Sequence, residues 1–322
     1  MIFFLTLLSG TILSVSSDSW FGAWCGLELN LMSFIPFISS SMNQYSSEAC
    51  LKYFLIQALG SSIIVLGFIF IMISSSFIAL MTFALLLKLG AAPVHFWFPQ
   101  VMEGLNWNQC LILMTLQKIA PMYLVSYTIY ISNNLIVFWS SIISAMVGAL
   151  GGVNQMFLRK LLAFSSINHM SWMLMSMLVS ENSWSLYFIF YSFISASIVV
   201  LFNYQQFFHL NQLSNFTNYK LGLISFMSLL SLGGLPPFSG FIPKWIIIQE
   251  LVFKSYFFSL LIFLLSSLVT LYYYLRVTIV YMTFLSPKLK FNLMNNVKSK
   301  KVSFFMSLNF IGLIFPSMFM LM

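Results

Sequence analysis

An all-helical, polytopic membrane protein is the fold this sequence predicts. Three observations predict it: the composition, the placement of the few charges, and an echo between two Gly/Pro-containing apolar segments. Of 322 residues, 60% are hydrophobic and 6% charged, and the mean hydropathy is +0.96. A soluble domain carries about 25% charged residues, so six acids and fourteen bases could not solvate a 36.9 kDa globule. A spanning helix takes about 20 residues, so the length allows about eleven or twelve spans. No room is left for a soluble catalytic, nucleotide-binding or DNA-binding domain. The net charge of +8 is spread among spans with no basic, base-reading face, which argues against nucleic acid as a partner.

Eleven spans are drawn at 2–16, 20–39, 49–73, 77–104, 107–129, 135–153, 159–179, 184–206, 220–254, 256–284 and 302–321. The fourth and ninth are too long and hold Gly and Pro, so each is read as a broken helix that crosses once. An odd count puts the termini on opposite sides. Lys52, Arg159, Lys160, Lys220, Lys288, Lys290, Lys298, Lys300 and Lys301 then fall on the N-terminal side. Asp18, Glu181, Glu250 and only one base, Lys254, fall on the other. Lys/Arg bias sets topology, so the N-terminus is expected in the inner, positive-rich compartment. The loop of Lys288–Lys301 is expected beside anionic lipid headgroups.

The first segment, Ile2–Val15, lacks the positive start and the cleavage site of a signal peptide, and reads as a retained helix. With no Arg-rich presequence, a mitochondrial protein of this sequence would be made inside the organelle. Cys25, Cys50 and Cys110 stand far apart, without metal or iron–sulfur spacing, and read as small packing residues. His95, His169 and His209 fall on separate segments with no pairing for a haem.

The echo pairs Leu87-Lys88-Leu89-Gly90-Ala91-Ala92-Pro93 with Leu230-Ser231-Leu232-Gly233-Gly234-Leu235-Pro236, both L-x-L-G-x-x-P, followed by Pro99 and Pro243. The copies lie five spans apart and so cross in opposite senses, as two inverted five-helix repeats would, at about 1–130 and 135–284. Interrupted helices at matching places in two halves point to a transport site. The pairs Gly22/Gly26 and Gly148/Gly152 are read as helix-packing contacts.

Of the twenty charged residues, sixteen fall at span ends or in loops. The other four lie inside spans: Glu28 in the second, Lys88 in the broken fourth, Lys118 in the fifth and Lys244 in the broken ninth. A charge at helix centre costs at least about 2.5–3.5 kcal/mol. Snorkelling accounts for Lys52, Lys220, Lys254 and Arg276. It does not account for Lys118, which is about 16 Å from either end of a straight helix. One acid neutralises one lysine, so ion pairing alone does not explain the set.

A desolvated lysine exchanges its proton more readily than an exposed one. Attraction from Glu28 would hold a proton on Lys88, and withdrawal of Glu28 would let it go. Lysines joined by water and hydroxyl groups would then be a proton wire with a switch at one end. His169, among Ser165, Ser166 and Asn168, reads equally as a member of a hydrated path or as a hydrogen-bonded packing residue.

These same residues carry a family resemblance. The runs ALLLKLGAAPVHFWFP (84–99), TLQKIAP (115–121), NQMFLRKLLAFSSINH (154–169) and LLSLGGLPPFSGFIPKW (229–245), with WFGAWCGLELNLMSFIP (20–36), resemble the subunit 2 family of mitochondrial NADH–ubiquinone oxidoreductase, respiratory complex I. The likeness runs from about residue 16 to 284, in family order. It implies an antiporter-like membrane-arm subunit in the inner membrane, N-terminus to the matrix and C-terminus to the intermembrane space. It also implies eleven helices, because animal versions lack three N-terminal helices of bacterial relatives. Complex I subunits would be its partners. NADH, flavin, iron–sulfur clusters and ubiquinone would be bound by those partners, with no cofactor in this chain. By family position, Glu28 and Lys88 match the first half-channel pair, Lys118 the connecting lysine, Lys244 the second half-channel residue, and His169 a central histidine. A stand-alone cation/proton antiporter and a passive scaffold are the rival readings.

Overall fold

Among the described residues of the computed structural model every regular element is a helix, apart from one antiparallel bridge between Phe157 and His209. The structure describes residues 2–39, 43–71, 73–131, 135–180, 182–215 and 219–283. The eleventh expected span and the loop of Lys288–Lys301 lie outside the described residues. The described residues form thirteen α-helices: α1 Ile2–Ser16, α2 Trp20–Ser39, α3 Gln44–Ile71, α4 Ile78–Leu89, α5 Trp97–Gly104, α6 Trp107–Met114, α7 Leu116–Ile131, α8 Leu135–Gly152, α9 Leu158–Val179, α10 Ser183–Gln205, α11 Tyr219–Gly233, α12 Phe241–Phe253 and α13 Phe257–Thr283. Among the described residues six helical stretches are long and apolar enough to cross a membrane: Trp20–Ser39, Gln44–Ile71, Trp107–Ile131, Leu135–Gly152, Ser183–Gln205 and Phe257–Val280. The chain forms two compact units that divide between Val147 and Gly148, inside α8.

In the first unit, α1 and α2 pack as a close hairpin because small residues line the seam. A β-carbon on Gly26 would stand 2.6 Å from the backbone nitrogen of Ser14, and one on Gly10 would stand 3.0 Å from the Gly26 carbonyl oxygen. Of the Gly22/Gly26 pair, Gly26 makes the helix contact, whereas Gly22 packs on Ser17 and Ser19 of the preceding loop. Gly26→Ala is expected to destabilise the folded chain by about 1–3 kcal/mol, because backbone rather than a flexible side chain must move. Thermal unfolding of the purified assembly measures it, and an unchanged melting temperature would contradict the contact.

The expected fourth span is broken. α4 stops at Leu89, Gly90 takes a left-handed φ of 72°, and the helix resumes at Trp97 as α5. The ninth behaves alike: α11 stops at Gly233, Gly234 has a φ of 81°, and α12 begins at Phe241. Both ends close the same way. Ala91 N donates to Leu86 O at 3.1 Å and Leu235 N donates to Leu230 O at 3.4 Å. This is the six-to-one bond of a Schellman turn, which needs a residue at positive φ and so favours glycine.

The register of the echo differs by one residue from that of the L-x-L-G-x-x-P pattern. Adding 144 takes Gly90 to Gly234, Pro93 to Pro237, Trp97 to Phe241 and Pro99 to Pro243, so both breaks start and end together. The pattern had matched Gly90 to Gly233, because Gly233 and Gly234 are adjacent and sequence alone does not say which one carries the turn.

The fifth span, expected to be continuous, is interrupted at Thr115, where α6 gives way to α7 at φ −117° and ψ −80°. Two features of the sequence explain it. The Thr115 hydroxyl donates back to Leu111 O at 2.7 Å, so that this oxygen is shared with Thr115 N, which donates to it at 3.0 Å. Pro121 also has no N–H to give to the Gln117 carbonyl. Lys118 therefore sits in the first turn of α7, beside a discontinuity.

In the second unit, α9 is buried along nearly its whole length, including Ser165, Ser166, Asn168, His169, Ser171 and Ser176. It packs against α10, α12 and α13. A helix screened by others from lipid can carry this many polar side chains.

Candidate functional site

The break between α4 and α5 frees backbone carbonyls, and neighbouring side chains take them up. Gln57 on α3 donates to Lys88 O at 3.2 Å, and Trp97 Nε1 donates to Leu87 O at 3.1 Å. Lys88 lies in the last turn of α4, where the negative end of the helix favours a cation. Its stem runs over Gly60: a β-carbon there would stand 2.9 Å from Lys88 Cγ.

Lys88 and Lys118 line one cavity together with Asn30, Tyr53, Gln57 and Gln117. Tyr53 donates its hydroxyl to Gln117 Oε1 at 3.3 Å. Asn30 Oδ1 and Gln117 Nε2 are buried with no hydrogen-bond partner in the protein. Buried polar atoms of this kind are ordinarily satisfied by water, and the open space is about 20 Å³, room for one molecule. The Lys118 ammonium also lies 4.9 Å from the centre of the Phe98 ring, a cation–π contact at the cavity wall.

Glu28, on α2, is half-buried, and its carboxylate lies within electrostatic reach of Lys88. The two are not in direct contact. By contrast Glu48 and Lys52, one turn apart on α3, do form a direct ion pair, at 2.6 Å. A carboxylate that acts on a lysine without clasping it can change its influence through a small displacement.

In the second unit, Lys244 lies in the first turn of α12, after Pro243, and reaches back across the break. Its Nζ donates to Gly233 O, the end of α11, at 2.8 Å. The two break lysines thus come from opposite arms: Lys88 from the helix before the break, Lys244 from the helix after it. Relative exposures of Lys88, Lys118 and Lys244 are 6%, 3% and 5%, which excludes snorkelling for all three. Arg276, expected to snorkel, is instead half-buried and donates Nη2 to Gln155 O at 2.8 Å. The guanidinium is thus held by a backbone carbonyl of the loop between α8 and α9. His169 shares its Nδ1 with the Tyr187 hydroxyl at 2.8 Å.

Glu28, Lys88 and Lys118 therefore meet in the first unit, and His169 and Lys244 lie in the second. Sequence reasoning missed the uncharged members of the first cavity. Asn30 interrupts an apolar run two residues after Glu28, and Gln117 precedes Lys118, so both were visible as polar residues in spans. Tyr53 and Gln57, one turn apart on α3, gave no signal apart from polarity. Among the described residues no group of three His, Cys, Asp or Glu side chains is placed to hold a metal ion.

A family model described as NADH:quinone oxidoreductase/Mrp antiporter, TM, matches residues 17–270. NADH-ubiquinone oxidoreductase chain 2 of Anopheles gambiae is 47% identical over 98% of this chain and 96% of its own length. The chain of the same name from Aedes aegypti is 47% identical over 97% and 94%. Among solved structures, a chain of respiratory complex I from Thermus thermophilus with bound aureothin matches with a TM-score of 0.83 at 24% identity, covering 98% of this chain and 78% of that one. A chain of the membrane-bound sulfane sulfur reductase, an archaeal respiratory complex, matches with a TM-score of 0.87 at 15% identity, covering 98% and 73%. Identities this low speak to the shared fold.

Proposed function

We propose that this chain, which belongs to the NADH:quinone oxidoreductase/Mrp antiporter membrane family and is an antiporter-like membrane-arm subunit of respiratory complex I, moves protons through Glu28, Lys88, Lys118 and Lys244. The observation that carries the residue assignment is the cavity shared by Lys88 and Lys118, lined also by Asn30, Tyr53, Gln57 and Gln117 and with space for a water. Water between two amines hands a proton from one to the other without moving either chain. Glu28 sets the occupancy of Lys88: when it is near, attraction keeps the proton on the amine, and when it withdraws the proton passes to Lys118. Lys244 then releases a proton on the far side, and the Gly233 carbonyl holds its ammonium until that step.

In this reading the chain is part of a translocase and carries no redox chemistry. NADH, flavin, iron–sulfur clusters and ubiquinone belong to partner subunits, whose conformational or electrostatic change acts on Glu28. The membrane is the mitochondrial inner membrane, with the N-terminus in the matrix and the C-terminus in the intermembrane space. The excess of Lys and Arg on the N-terminal side of the span plan supports this orientation. Eleven spans in two inverted five-helix halves, at about 1–130 and 135–284, fit the matched breaks of α4/α5 and α11/α12. Anionic lipid is the proposed neighbour of Lys288–Lys301.

The test is Glu28→Gln in the assembled complex. Loss of an electrostatic coupling of about 1.4 kcal/mol corresponds to about tenfold, so NADH-driven proton transport into vesicles is expected to fall about that much with assembly intact. Transport at the normal rate in this variant would remove Glu28 from the mechanism.

A further inference from the structure

The second unit buries four tyrosines, Tyr187, Tyr191, Tyr273 and Tyr274, among apolar helices. Phenylalanine would pack as well and would bring no hydroxyl into the interior, so the phenol oxygens call for an explanation. Their positions supply one. The Tyr187 hydroxyl meets His169 Nδ1 at 2.8 Å, and the Tyr191 ring lies 5.1 Å from the His169 ring, centre to centre. Tyr191 faces Ser166 and Tyr274 faces Ser165, both on α9 within a turn of His169.

The Tyr274 hydroxyl is buried without closing a short hydrogen bond, a gap that a water or a small rotation spans. Tyr274 also lies against the break: a β-carbon on Gly233 would stand 3.7 Å from its Cδ2. The Gly233 carbonyl is the group that accepts the Lys244 ammonium.

We propose that Tyr191 and Tyr274, with Ser165 and Ser166, form a hydroxyl relay that carries protons between His169 and Lys244. This rests on the proton-transfer reading above and extends it to residues that bear no charge. Each hydroxyl accepts a proton on its oxygen and passes its own hydrogen to the next group. One end of the relay loses a proton and the other gains it, no covalent skeleton changes, and rotation about the C–O bonds resets the chain. A phenol or an alcohol is neutral at physiological pH and stores no charge. It therefore conducts without adding another buried ion to the three lysines.

The test uses Tyr191→Phe, Tyr274→Phe and the double variant in assembled complex I, reconstituted in vesicles. Each variant removes one oxygen per site and keeps the ring packing. Coupled proton transport is expected to fall about tenfold in each single variant. The double variant should be no worse than the singles, because links in series are not additive. The solvent deuterium isotope effect on turnover should rise in the singles, a readout that a packing role would not move. Ser165→Ala, which leaves the aromatic core untouched, should reproduce the Tyr274→Phe defect and serves where a tyrosine variant fails to assemble. Normal transport in both single tyrosine variants, or in Ser165→Ala where they fail to assemble, would overturn the relay. Lys118→Met separates the two levels: if it stops transport while the tyrosine variants transport normally, the relay alone falls. If Lys118→Met transports normally, the lysine pathway falls with it.

Discussion

Lys118→Met is expected to leave the complex assembled and to lower coupled proton transport by about a hundredfold, the scale of losing a positioned acid–base group. Methionine has similar length and is apolar, so it fills the wall of the Lys88 cavity without strain. Removing a buried ammonium also relieves about 2.5–3.5 kcal/mol of insertion cost. The signature is thus a pair of opposite signs: stability unchanged or raised, transport lost. NADH-driven acidification of reconstituted vesicles reads the second, and the melting temperature of the assembly reads the first. A passive scaffold would show normal transport, and that result would end the lysine-pathway reading.

Gly234→Val has the largest expected effect on stability. Its φ of 81° suits glycine, and a β-branched residue there is strained by about 1–2 kcal/mol. The new side chain also enters occupied space, because a β-carbon would stand 2.9 Å from both Cδ and Nζ of Lys244. Overpacking adds about 1–3 kcal/mol. The turn that ends α11 and the bond from Lys244 to Gly233 fail together. The expected result is loss of the chain from assembled complex, measured as its abundance by native gel, with any surviving complex transporting poorly. Normal abundance and transport would show that the positive-φ turn is dispensable.

Much of the fold was legible because composition and hydropathy act on whole segments. The two breaks announced themselves through Gly90, Pro93, Gly234 and Pro243. What escaped was local competition between bonds. The interruption at Thr115 depends on a hydroxyl choosing Leu111 O over solvent, and threonines occur in unbroken helices too. The one-residue slip of the echo escaped for a related reason: two adjacent glycines are equally able to turn, and the hydrogen-bonding of the helix end decides between them.

At the candidate site the charged residues were legible, because a lysine in a span is costly and stands out. The uncharged partners were not. Gln57, Tyr53 and Tyr274 become meaningful only when α3 meets the end of α4, or α13 meets the end of α11. Sequence does not show which face of a polar side chain's helix is turned inward.

The offset of 144 pairs Lys88 with Leu232 and Gln100 with Lys244. No lysine in one half stands opposite a lysine in the other, yet each break has one buried lysine beside it. What the two segments have in common is a place, the helix end at a positive-φ glycine, and not a residue. A lysine four carbons long reaches that place from either arm. The turn, and not the register of the lysine, is thus what the two segments hold in common. Aligned lysine to lysine the two segments lose their correspondence, and aligned turn to turn they keep it.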